Sequence, residues 1–145
     1  MCQIVNKEFK VIAEKHTGLF KDYAELVPKA AQQFLQRAAH LAGTEVAVYE
    51  PKASESHTEG TFYVGLLFND ELDVLPEGAE ILEIQHTYGM IRGNGTDMGN
   101  LYSTLDQWID EQGYARDTLK NFILETYHPE ANGVEEVEIY IPIKA

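Results

Sequence analysis

The sequence predicts an α+β fold, a duplicated strand-helix-strand-strand unit whose strands form one curved antiparallel sheet with two helices and a central cleft. Three observations point there. Two stretches carry apolar residues at helical spacing, one in each half of the chain. Each is preceded by one strand-like run and followed by two. Finally, the second strand of each half ends in the same punctuation, Val48-Tyr49-Glu50-Pro51 and Thr126-Tyr127-His128-Pro129. A single domain over residues 1–145, with pseudo-repeats at about 5–70 and 79–145, accounts for all three.

From Phe9 to Thr17 the alternation of Phe9, Val11 and Ala13 with Lys10, Ile12 and Glu14 reads as a first strand. Between Tyr23 and Ala42, residues such as Leu26, Val27, Ala30, Phe34, Leu35 and Ala38 recur on one helix face. Pro28 fits that helix only near its first turn, and Gly43 can close it. Thr44 to Glu50 is the second strand, Lys52 to Gly60 a polar loop, and Thr61 to Phe68 a third strand rich in aromatic and branched residues. Asn69 to Glu80 is acidic, carries Pro76-Glu77-Gly78, and reads as the connection between halves. The second half then has a strand from Ile81 to Arg92, a turn at Gly93 to Gly95, and a helix from Met98 to Gln112 closed by Gly113. Thr96 or Asp97 is its expected cap. After the Tyr114 to Lys120 connector come strands at Asn121 to Pro129 and Val134 to Ile143.

The strand from Asn121 to Pro129 is apolar on both faces, with one carboxylate, Glu125, at its centre. A strand apolar on both sides is usually covered on both sides, and burying an unpaired carboxylate is costly or forces it to take up a proton. Its partner is therefore either a set of tyrosine hydroxyls and backbone N–H groups or a cationic ligand. Superposing the two punctuations sets Glu125 opposite Ala47, so this charge breaks the pseudo-symmetry. With helices expected on one face of the sheet and a cleft on the other, Tyr49, Tyr63, Tyr88, Trp108, Tyr127 and Tyr140 are candidates to line that cleft. Aromatic faces attract cations, and a nearby carboxylate strengthens the pull.

With 11 Lys and Arg against 24 Asp and Glu, the net charge of -13 disfavours nucleic acid and anionic membrane as partners and favours cations. The sole cysteine, Cys2, excludes a disulfide framework within the chain. No signal sequence and no apolar run of transmembrane length are visible, so a cytoplasmic protein is expected, and a homodimer is compatible with the sequence. Gly93-Asn94-Gly95-Thr96-Asp97-Met98-Gly99 has the wrong spacing and setting for a dinucleotide turn. The histidines His16, His40, His57, His86 and His128 are scattered without metal-ligand spacing, and no hydroxyl nucleophile carries a signature. Neither a cofactor nor a metal is expected.

Three stretches resemble the GyrI-like effector-binding family, which includes the ligand domains of multidrug-responsive transcription regulators. They are Tyr88-Gly89-Met90-Ile91-Arg92-Gly93-Asn94-Gly95 running on to Leu101-Tyr102, Leu105 and Trp108; Leu124-Glu125-Thr126-Tyr127 with Pro129; and Val137-Glu138-Ile139-Tyr140-Ile141-Pro142-Ile143. The resemblance implies a duplicated unit with a central cleft, and a buried acid in the fifth strand, here Glu125, that pairs with lipophilic cations. It also implies that cleft aromatics stack on the ligand, carried here to Tyr127, Trp108, Tyr88 and Tyr63. A helix-turn-helix or basic stretch before Phe9 is missing, so a stand-alone binder of lipophilic cationic or aromatic small molecules is the first expectation. Two others follow from the resemblance. A hydrolase of cyclopropane-type electrophiles would use Glu125 as its acid or base, and an acidic inhibitor of DNA gyrase would use the cluster Asp70, Glu71, Asp73, Glu77 and Glu80.

Overall fold

The structure, a computed structural model, describes residues 2–38, 41, 43–52, 54–68, 75–117, 121–130 and 133–144. Its elements are β1 (Cys2–Leu19), α1 (Tyr23–Arg37), β2 (Thr44–Tyr49), β3 (Glu59–Leu67), β4 (Ala79–Asn94), α2 (Met98–Glu111), β5 (Ile123–Pro129) and β6 (Glu135–Pro142), so the strand-helix-strand-strand order occurs twice. All strand pairings are antiparallel, and the six strands close into a barrel in the order β1-β3-β2-β5-β6-β4. Closure gives every strand a neighbour on both sides over part of its length, which limits the unpaired edge that otherwise invites association with other chains.

Each strand contributes alternate residues to two different surroundings. Phe9, Val11, Val48, Tyr88, Leu124 and Tyr140 pack together with no helix residue among them, which makes that face the barrel interior. The outer face carries the helices. Val27, Ala30 and Phe34 of α1 pack on Ala47, Phe62 and Val64, so α1 covers β2 and β3. Leu101, Leu105 and Ile109 of α2 pack on Ile91, Ile139 and Ile141, so α2 covers β4 and β6. Complete burial of such side chains is worth about 1.5–3 kcal/mol each, enough to fix where each helix lies. Gly89 lets α2 approach: a Cβ there would stand 2.8 Å from Ile109 Cδ1. Between the two covered walls runs β5.

Several boundaries differ from expectation. β1 begins at Cys2 rather than Phe9, because its first half pairs with β4 alone and needs little apolar alternation. β4 likewise continues through Asn94, so Gly93 and Asn94 are strand instead of turn, and a 3-10 turn at Gly95–Asp97 follows. Asp97, one of the two expected caps, holds the N-cap position of α2, but its side chain makes no capping hydrogen bond; the Asn94 side chain accepts from the Thr96 N–H at 2.9 Å at the start of the 3-10 turn. Pro28 lies inside α1, past its first turn, and α1 ends at Arg37, well before Gly43. Gly113 does close α2, with φ +81. Asn69 to Val74 of the acidic connection, His40, and Thr118 to Lys120 of the later connector lie outside the described residues. No helix among the described residues is long and apolar enough to cross a membrane.

Candidate functional site

Glu125 lies on β5 between its register partners Ala47 and Ile139. Ala47 packs under α1 and Ile139 under α2, so Glu125 points outward, into the gap between the helices. The cleft it faces is therefore on the helix-bearing side of the sheet, not on the opposite side as expected from sequence. The duplication explains its position. Tyr49 and Tyr127 are equivalent in the two halves, and the β2–β5 register pairs Glu45 with Tyr127, Ala47 with Glu125 and Tyr49 with Ile123. The local two-fold thus passes through the Ala47–Glu125 pair.

Glu125 is 6% exposed as a residue. Its Oε1 accepts hydrogen bonds from the hydroxyls of Tyr127 at 2.6 Å and Tyr49 at 3.1 Å, and its Oε2 accepts one from Tyr102. No Lys, Arg or His among the described residues forms an ion pair with it. Burial, and after it the Glu125 charge, holds the Tyr49 and Tyr102 phenols well above their usual range. Tyr127 is raised by burial first, then by Tyr49 and Glu125. All three therefore remain protonated donors at neutral pH.

A cleft of about 450 Å3 opens beside this group, walled by Phe20, Tyr23, Tyr49 and Tyr102 with Glu125 at its base. Tyr23 and Tyr49 stack with ring centroids 5.9 Å apart, and Phe20 meets Tyr23 edge-on at 5.3 Å. Burial and, second, the charge on Glu50 push the Tyr23 phenol up to about 12. Lys52 and Arg116 also line the cleft, Arg116 paired with Asp106 at 3.2 Å. Aromatic walls around a buried carboxylate favour a large, apolar, positively charged guest over an anion.

Of the residues singled out in the sequence, Glu125, Tyr49 and Tyr127 come together. Tyr63, Tyr88 and Tyr140 sit in the barrel interior, across the sheet from Glu125, where Phe9 contacts the rings of Tyr88 and Tyr140 edge-on. Trp108 packs at the margin of the α2 core and does not line the cleft. The strand period places Tyr140 away from Glu125, because it is Ile139 that pairs with Glu125, but this register is not written in either strand alone. Phe20, Tyr23 and Tyr102 were not singled out for the site. Tyr102 follows Leu101 on α2 and packs at the margin of the α2 core, from where its hydroxyl reaches Glu125 and its ring lines the cleft.

Solved structures that share this fold include the following three. The structure of SAV2435 bound to tetraphenylphosphonium matches with a TM-score of 0.70 at 12% identity, covering 100% of this chain and 94% of that one. An integron cassette protein from the mobile metagenome of Vibrio cholerae, VCH_CASS2, matches with a TM-score of 0.72 at 14% identity, covering 99% and 95%. The EcmrR C-terminal domain gives 0.65 at 17% identity, covering 99% and 97%. These likenesses are of fold, and they agree with the GyrI-like resemblance read from the sequence. No curated protein matches the chain in sequence. The family model for Cass2, integron-associated effector-binding proteins, matches residues 4–143, nearly the whole chain, and the chain belongs to that family.

Proposed function

We propose that the protein binds lipophilic cations in the cleft between α1 and α2, with Glu125 as the counter-charge and Phe20, Tyr23, Tyr49 and Tyr102 as the apolar wall. One observation carries this reading: Glu125, a residue 6% exposed, has three phenol donors on its carboxylate and no cationic partner among the described residues. Removing a carboxylate from water costs several kcal/mol. Three hydrogen bonds to a charged acceptor, at about 1.5–3 kcal/mol each, offset much of that and leave the negative charge unneutralised. A cation at about 5 Å, at an effective dielectric of about 20, gains roughly 3 kcal/mol from it before its own desolvation. Effector binding by the family and a lipophilic cation bound to a protein of the same fold support the reading.

The test is a fluorescence titration with a lipophilic cationic dye, comparing the natural protein with Glu125→Gln at two salt concentrations. The expected result is saturable binding that weakens about tenfold or more in the variant, about 1.4 kcal/mol, with the dye chemically unchanged. Undiminished binding by Glu125→Gln would remove the carboxylate from the site, and conversion of the dye would turn the reading toward catalysis.

A further inference from the structure

The outer wall holds a second cavity, of about 610 Å3. From the Ala47–Glu125 pair, the strands run one way to Tyr49 and Ile123, into the cleft described above, and the other way to Glu45 and Tyr127, into this second cavity. The local two-fold exchanges the two. Tyr49-Glu50-Pro51 lines the first, and its repeat Tyr127-His128-Pro129 lines the second. The linings otherwise diverge: His128 stands in the second where Glu50 stands in the first, and at the position where the first cavity has Ile123 the second has the carboxylate Glu45.

Glu45 is flanked in register by Leu66 and Tyr127, which also line the cavity, while Leu35 of α1 and Ala38, just past its end, contribute to the lining. The side chain is half-buried, and no ion pair or hydrogen bond from a described residue reaches its carboxylate. Burial first, and the charge on Glu135 second, push that carboxyl upward, an electrostatic cost that an arriving cation would relieve. The two cavities also differ in what they offer a guest. Both oxygens of Glu125 already accept phenol hydrogen bonds, which suits a cation without N–H groups. The Glu45 oxygens are taken by no described residue, which suits a donor.

We propose that this second cavity is a separate site for a protonated amine bearing a hydrophobic arm, its ammonium on Glu45 and its arm over Leu35, Leu66 and the ring of Tyr127. The site shares Tyr127 with the first cleft through the Tyr127–Glu125 hydrogen bond but rests on a different carboxylate, so the two readings fail separately. The probe is 4-phenylbutylamine, with the neutral 4-phenylbutanol as control, titrated calorimetrically and followed by amide chemical shifts. Amine binding with shifts at Leu35, Glu45 and Leu66 is expected, roughly tenfold weaker in Glu45→Gln and for the alcohol, and changed less than about threefold by Glu125→Gln. Leu35→Lys, whose alkyl stem replaces the leucine while its ammonium reaches Glu45, should also displace the amine. If that variant fails to fold, Glu45→Gln decides alone. The proposal is overturned by amine binding that Glu45→Gln leaves unchanged, by binding that Glu125→Gln abolishes, or by no saturable binding at millimolar amine.

Discussion

A buried carboxylate held by three phenols constrains those phenols as much as they constrain it. Tyr127, at 2.6 Å, makes the shorter of the two bonds to Oε1, and Tyr49, at 3.1 Å, the longer. Tyr127→Phe is accordingly expected to destabilise the fold by about 1.5–3 kcal/mol and Tyr49→Phe by less, as read by urea denaturation. A spectroscopic consequence follows from the same contacts. Because burial and the adjacent charge raise the folded pKa of Tyr49, Tyr102 and Tyr127 above the unfolded value, their contribution is fully present below about pH 10 and is lost as pH rises beyond it. Of the 8 tyrosines, these three, together with the fully buried Tyr88 and Tyr140, whose phenols burial also raises, should ionise only as the protein unfolds, seen as a late step in the ultraviolet absorbance of an alkaline titration. At this scale the sequence was informative where a residue was odd for its setting. Glu125 stood out as a charge in an apolar strand, and Tyr49 and Tyr127 as matched punctuation. Tyr102 did not, since a tyrosine on an amphipathic helix is ordinary, and only the packing of α2 brings its hydroxyl to the carboxylate.

Elements are held apart or brought together by glycines whose roles differ sharply. At Gly65 a Cβ would stand 1.9 Å from the Ile12 carbonyl oxygen, backbone of the neighbouring strand that cannot yield. At Gly99, inside α2, it would meet nothing within 4 Å. Gly65→Ala should therefore cost about 3 kcal/mol or more, and Gly99→Ala should stabilise the fold by about 0.5 kcal/mol, both measurable by the midpoint of chemical denaturation. The order of elements was legible from periodicity because each helix has one apolar stripe. The long first half of β1 was less legible, since residues such as Asn6, Lys7 and Glu8 lie exposed on a strand that only one neighbour supports there. The three misplaced tyrosines, Tyr63, Tyr88 and Tyr140, share a cause: sequence gives the two faces of each strand but not which face of one joins which face of the next.

The whole molecule combines a closed barrel, a local two-fold and a strongly negative surface. Closure joins the repeats twice, through β1 with β4 and through β2 with β5, and the second seam is where the two-fold sets Glu125 between the helices. The net charge of -13 draws any cation toward the protein, so salt alone will weaken cation binding whether or not Glu125 takes part. Separating the general field from the local carboxylate requires guests alike in shape but different in charge. The most direct measurement is a parallel calorimetric titration of tetraphenylphosphonium and neutral triphenylphosphine oxide against the natural protein and Glu125→Gln, at one fixed ionic strength. If Glu125 is the counter-charge, the substitution weakens the cation about tenfold or more and leaves the neutral compound within about twofold. Equal losses for both compounds, or none for the cation, would contradict it.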